Sequence, residues 1–143
     1  MIVVVAAVIE RADRRILIGQ RRRGDTSPLK WEFPGGKVRQ GENDEAALAR
    51  ELREELGAEM VRAAPIARVQ HKYAETASAL EVRFFAAELK SNEVKANAFE
   101  QIAWVLPKQL SEYDFLAANR ELVANLATGR IKPSETLAAG RST

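Results

Sequence analysis

An α+β layered fold is what this sequence predicts, on three observations: several short strand-like runs, helical periodicity in only two stretches, and no strict alternation between the two. The first run, Ile2–Ile9, is β-branched and apolar throughout and has the character of a buried strand. A second strand is expected over residues 15–20, and the polar residues 10–14 between the two predict a hairpin. A loop over 24–28 follows. From Asn43 to Leu56 the period becomes helical, with Asn43 as N-cap, Asp44 and Glu45 in the first turn, and Gly57 placed to end the helix. Leu48, Leu52 and Leu56 recur every fourth residue and give this helix a buried stripe. Three more strands are expected at 66–71, 80–89 and 101–106, after which Pro107 starts a turn or short helix. The last helix, over 117–127, turns Leu122, Val123 and Leu126 inward, with Gly129 near its end. Residues 131–143 lack an apolar pattern and are expected to form a mobile tail, leaving one domain over 1–130.

Composition narrows the chemistry. A chain of 143 residues with 46% hydrophobic content has the size of one domain with its own core. No run approaches the roughly 20 apolar residues that cross a bilayer, and Ile2–Ile9 is too short and too valine-rich for a secretory signal, so a cytoplasmic enzyme is expected. With no cysteine and the single His71, neither a thiolate site nor an imidazole cluster can be built, and any metal must be held by oxygen. That leaves Mg²⁺, Mn²⁺ or Ca²⁺. A net charge of +2 does not demand a nucleic-acid polymer, although Arg21, Arg22 and Arg23 beside Lys30 form a basic cluster suited to phosphates.

The chemical centre lies in GGKVRQGENDEAALARELREELG, from Gly35 to Gly57. On a helix Glu51, Glu54 and Glu55 stand at i, i+3 and i+4, so their carboxylates gather on one face, about a quarter-turn from the leucine stripe. Arg50 and Arg53 relieve part of their repulsion, and a hard divalent cation would relieve it more completely. The alternative for the helix alone is a solvated acidic face with intrahelical ion pairs.

The whole constellation goes further. Gly36, Glu42, Arg50-Glu51-Leu52, Glu54-Glu55 and Gly57 match the Nudix box at every fixed position, with only the final aliphatic slot weakly filled by Ala58. The chain therefore resembles the Nudix hydrolases, and its MutT branch in particular, over nearly its whole length to Arg130. The resemblance implies an α/β/α sandwich around a mixed β-sheet, with the box as loop, helix and loop. It also implies Mg²⁺-dependent cleavage of a nucleoside triphosphate to the monophosphate and pyrophosphate. Attack by water on phosphorus needs neutralised charge, an in-line water and a base, and clustered glutamates with a divalent cation supply all three. By resemblance, Glu51, Glu55 and the backbone carbonyl of Gly35 hold the metal, and Glu54 is a further ligand or holds the attacking water. The base is Glu51 or Glu54. Arg50 orients a catalytic carboxylate, its alternative being an ordinary surface ion pair, and Glu42 supports the site or starts the helix.

Outside the box, Trp31-Glu32-Phe33-Pro34-Gly35-Gly36-Lys37 is similar to the entrance segment of MutT enzymes, which places Phe33 against a nucleobase or simply in the core. Arg21 stands where those relatives carry a substrate-contacting cation. Asp114 to Asn119 resembles their D-F-x-x-A-N stretch, so Asn119 reads a base edge or caps a helix. Two departures stand out. Many MutT-like enzymes bind metal through a glutamate six residues before the late-strand tryptophan, but that place before Trp104 is Ala98, which leaves Glu100 or Glu93 as substitutes. Glu75 and Ser78 replace expected aromatic or basic pocket residues, with His71 and Tyr73 nearby. The implied substrate is a damaged triphosphate such as 8-oxo-dGTP, in nucleotide-pool sanitation and hence DNA repair, with CTP or methyl-dCTP as the alternative. Nudix folds that only bind ligands or RNA usually lose box glutamates, and all are present here. A monomer or homodimer without nucleic-acid or membrane partners is expected.

Overall fold

The computed structural model describes residues 1–72 and 79–140. Seven strands form two sheets: β1 (Ile2–Ile9), β2 (Ile16–Gln20), β3 (Trp31–Glu32), β4 (Gly35–Lys37), β5 (Met60–Lys72), β6 (Ala79–Leu89) and β7 (Gln101–Val105). The larger sheet has the order β4-β1-β6-β5 and the smaller β3-β2-β7. The larger is mixed, because β1 runs parallel to β6 but antiparallel to β4. Helix α1 (Asp44–Leu56) covers one face and α2 (Arg120–Ala127) the other. This is the α/β/α sandwich expected from the resemblance.

Alternation along the central strands builds two cores. Ala6 and Val8 of β1 and Ile16 and Ile18 of β2 join Leu122, Val123 and Leu126 of α2. Their neighbours Val5, Ala7, Ile9 and Leu17 face Leu48, Leu52 and Leu56 of α1. Those three leucines are fully buried, and each contributes about 1.5–3 kcal/mol relative to exposure, an upper estimate for a chain that is already compact when unfolded. The caps of α1 are those read from the sequence: Asn43 Oδ1 accepts from the Ala46 N–H at 2.8 Å, and Gly57 takes the left-handed conformation at φ 64°.

Four expectations change. Residues 11–15 do make a tight turn, but β1 and β2 diverge into different sheets after the single Glu10–Ile16 bridge, so no two-stranded hairpin forms. Each strand is buried on both faces and therefore sits inside its own sheet. Strand β5 begins at Met60, six residues before the expected start, and its register shifts between Pro65 and Ala67. Proline has no N–H for the ladder, which breaks the strand pattern at that point. The expected helix at 117–127 is a 3₁₀ turn at Ala117–Asn119 followed by α2. Finally, the stretch expected as a tail contains α3 (Pro133–Ala139), with Pro133 buried and the Leu137 carbonyl accepting from Arg62 at 3.0 Å. Proline at the first helical turn supplies the start signal there.

Candidate active site

Strand β4 brings the glycine turn against both β1 and α1. A Cβ on Gly35 would collide with the Val5 carbonyl, and one on Gly36 would overlap the Glu51 carboxylate. Only glycine permits the approach at Gly35, where the neighbour is backbone, while a side chain at Gly36 would push the Glu51 carboxylate aside. The box helix thus rests directly on the box loop.

Arg50 ties the acidic residues together. Its guanidinium donates to Glu42 through Nε at 2.7 Å and a terminal nitrogen at 2.9 Å, to Glu51 at 2.8 Å, and to the Lys37 carbonyl at 3.0 Å. A longer contact of 3.4 Å reaches Glu54. The Arg50 side chain is only 13% exposed, so this is a fixed hub and not a surface pair. Glu42, which also accepts from the Arg39 N–H, is held down to about 2, chiefly by Arg50. Glu54 stays half exposed, free to meet ligand or water.

Glu55 behaves differently. It is half-buried and accepts from the Gly35 N–H at 2.9 Å. Burial pushes its carboxyl up to about 8 against that hydrogen bond, and the charges of Glu32, Glu51 and Glu54 add to the rise. Four carboxylates therefore crowd a region whose two partly buried cations are already engaged, Arg50 by Glu42 and Glu51 and Arg21 by Glu32. An all-oxygen donor set short of positive charge suits a hard divalent cation. As they stand, no three acidic or imidazole side chains converge among the described residues, since Arg50 draws Glu51 and Glu54 aside and Glu55 turns to Gly35.

A cavity of about 360 Å³ opens beside this group, lined by Phe33, Asn119, Leu80 and Val82 together with Gly35, Gly36 and Glu55, with Arg21 and Glu32 on its wall. Phe33 is 3% exposed and packs edge-on against Phe84 at 6.1 Å and tilted against Phe115 at 5.4 Å, so it belongs to the core and the cavity together. Asn119 stands at the start of α2 without capping it. Its Oδ1 instead accepts from the Phe33 N–H at 3.3 Å, in a buried setting.

Arg21, Phe33, Gly35, Glu55 and Asn119 thus share one cavity, and Glu51 adjoins it through Gly36. Glu100 is exposed before β7, its N–H donating to the Gln20 carbonyl, and is not gathered with the box glutamates; Glu93 is exposed as well. The loop carrying Ala98 caps α1 instead, with the Lys95 and Asn97 N–H groups donating to Leu56 and Glu55. Tyr73, Glu75 and Ser78 lie outside the described residues. Glu32 is the wall residue that sequence reasoning passed over. Burial raises its carboxyl, and the opposing Arg21 guanidinium bonds both its oxygens at 3.2 and 3.3 Å. Its alternation with the core residue Trp31 was the available signal. Arg21 also donates to the Thr26 carbonyl and hydroxyl, which fixes the adjoining loop.

Comparison with known proteins shows the family. The NUDIX domain family model matches residues 1–126. A Mycobacterium tuberculosis protein named "Putative 8-oxo-dGTP diphosphatase 2" is 38% identical over 125 residues, covering 87% of each chain. The CTP pyrophosphohydrolase of Escherichia coli is 32% identical over 136 residues, 94% of this chain and 98% of its own. Among solved structures, the MutT NUDIX hydrolase of Burkholderia pseudomallei superposes with a TM-score of 0.73 at 28% identity, covering 86% of this chain and 95% of the other.

Proposed function

Because this chain belongs to the NUDIX domain family, we propose that it is a divalent-metal-dependent hydrolase that converts a nucleoside triphosphate to its monophosphate and pyrophosphate. The observation that carries this reading is one cavity lined both by Phe33 and Asn119, which suit a base, and by Gly35, Gly36 and Glu55 of the box, which suit metal and phosphate. Glu51, Glu55 and the Gly35 carbonyl would hold Mg²⁺, or Mn²⁺ in its place, and Glu54 would complete the set or hold water; Glu100 joins only if the loop before β7 moves. Bound there, the cation neutralises the polyphosphate and polarises the oxygens around the reacting phosphorus.

The chain's own residues do the rest. Arg50, itself braced by Glu42, donates directly to Glu51 and orients that carboxylate, which turns from Arg50 toward the cation when metal binds. Glu54 or Glu51 takes the proton from the attacking water, and half-exposed Glu54 has the freer approach. Arg21 steadies the wall loop and turns toward phosphate at the expense of its bond to Glu32. Phe33 packs on the base. Because the Phe33 N–H can only donate, it fixes the oxygen end of the Asn119 amide and leaves the NH₂ end for an acceptor on the base.

The substrate proposed is an oxidised purine triphosphate such as 8-oxo-dGTP, within nucleotide-pool sanitation in the cytoplasm. Similarity to a CTP pyrophosphohydrolase supports a second reading, CTP or methyl-dCTP. Product analysis across canonical and modified triphosphates with Mg²⁺ separates the two. Monophosphate and pyrophosphate are expected, with 8-oxo-dGTP fastest. A cytidine nucleotide ahead of it selects the second reading, and no turnover of any triphosphate would refute both.

A further inference from the structure

Outside the cavity, the α1 face of the larger sheet carries a charged cluster that the box does not include. Glu81 of β6 is a buried carboxylate, 6% exposed, that accepts from Arg68 at 3.0 Å, Gln70 at 3.3 Å and the Nε of Arg83. Arg83, two residues along and on the same face, donates from one terminal nitrogen to both Asp44 oxygens at 3.0 Å. Asp44 is the first residue of α1. A carboxylate there needs no partner to favour the helix, since the N-terminal dipole already does so. Its tie to the sheet calls for another reason.

Strand register supplies one. Val5 pairs with Gly36 of β4 on one side and with Arg83 of β6 on the other, so Gly36, Val5 and Arg83 form one row across three strands. The ends of that row are two strand spacings apart, about 10 Å. Asp44 and Glu51 are seven residues apart on one helix face, a rise of about 10.5 Å. The helix therefore meets the same row at both ends: Asp44 on Arg83, and Glu51 over the space that Gly36 leaves. Arg83 is itself held by Glu81, which the opposing Arg68 and Gln70 keep in place.

We propose that Arg83, braced by Glu81, is a positioning residue that pins the N-terminal end of α1 through Asp44 and thereby sets where the Glu51 carboxylate sits over Gly36. Its effect on activity rests on the metal reading above, whereas its effect on geometry does not. Apolar packing of the leucine stripe is not directional, so the Asp44–Arg83 contact fixes the N-terminal end of α1 as Arg50 on Lys37 and Glu55 on Gly35 fix the helix further along.

The test uses the full chain in two arms. In metal-free, isotope-labelled protein, Arg83→Met and Asp44→Asn should each displace the amide resonances of Gly36 and Glu51, while Arg62→Met, which breaks a half-buried pair with Glu88, should not. By calorimetry, each of the two variants should bind Mn²⁺ several-fold more weakly, less than the roughly 10- to 100-fold of a direct outer partner because neither residue touches a proposed ligand. Arg83→Lys should recover part of the loss, and the double variant should be no weaker than the worse single one, since both remove one contact. Asp44→Asn is the milder change and guards against failure of the methionine variant to fold. Unmoved Gly36 and Glu51 resonances would overturn the pin. Displaced resonances with unchanged Mn²⁺ affinity would overturn its role in placing the ligand. A wild-type chain that binds no Mn²⁺ would instead refute the metal reading, with the resonance arm still deciding the pin.

Discussion

Asn119 is the side chain on which the proposed substrate choice turns. Its oxygen accepts from the Phe33 N–H and the residue lines the cavity, which leaves the amide donor for a base acceptor in the reading proposed. Asn119→Ala removes that donor and strands the Phe33 N–H, a loss of about 1–3 kcal/mol. For the preferred triphosphate kcat/KM should then fall about 5- to 150-fold, with a poor substrate little affected. Asn119→Asp keeps an acceptor for Phe33 but lacks the donor, so steady-state kinetics should show the same loss of preference with a smaller change in melting temperature. A uniform fall for every nucleotide would make Asn119 structural. The sequence showed this residue but left helix capping open, because asparagine suits both uses and only the fold brings Phe33, 86 positions away, within reach. Glu32 and Arg21 show the reverse. Their ion pair closes across the β2–β3 turn, and spacing along the chain does not reveal which of several arginines a strand glutamate will meet.

At the scale of elements, α1 was legible to its last residue because its caps and its leucine period are local signals. Asn43→Ala should lower stability by about 1 kcal/mol in denaturant unfolding, through the lost bond to Ala46. The divergence of β1 and β2, the early start of β5 and the docking of α3 are settled by non-local pairing, to which local patterns are blind. The Glu81 cluster is of the same kind, since Arg68, Gln70 and Arg83 meet only when β5 and β6 pair. It gives a pH signature. Arg83 first, then Arg68 and Gln70, hold Glu81 down to about 2, below the ordinary carboxylate value near 4.3. Unfolding then takes up a proton at acid pH, so the stabilisation is whole above about pH 4.5 and lost as pH falls toward about 2. Melting temperatures across that window should fall less steeply in Glu81→Gln than in the wild type. Parallel curves would show that Glu81 titrates normally.

For the molecule as a whole, a mixed sheet held between two cores fixes the box helix on one side and Phe33 and Asn119 on the other, so the cavity lies where both layers contribute. Among the described residues, no helix is long and apolar enough to cross a membrane. Helix α3 stands apart from this arrangement, touching β5 and β6 and lining none of the cavity. A chain ending at Arg130 should therefore keep its turnover while melting several degrees lower, because Ala64 and Arg62 lose their cover. Loss of turnover in a folded truncated chain would place 131–143 inside the functional unit. Cleavage of the triphosphate by box glutamates and a divalent cation together is tested most directly by pyrophosphate release from 8-oxo-dGTP after chelation, followed by Mg²⁺ titration of the wild type, Glu51→Gln and Glu54→Gln. No release in EDTA, recovery with Mg²⁺ or Mn²⁺, and rates at least about 10²-fold lower in each variant are predicted. Full activity in chelated protein, or wild-type rates in both variants, would contradict it.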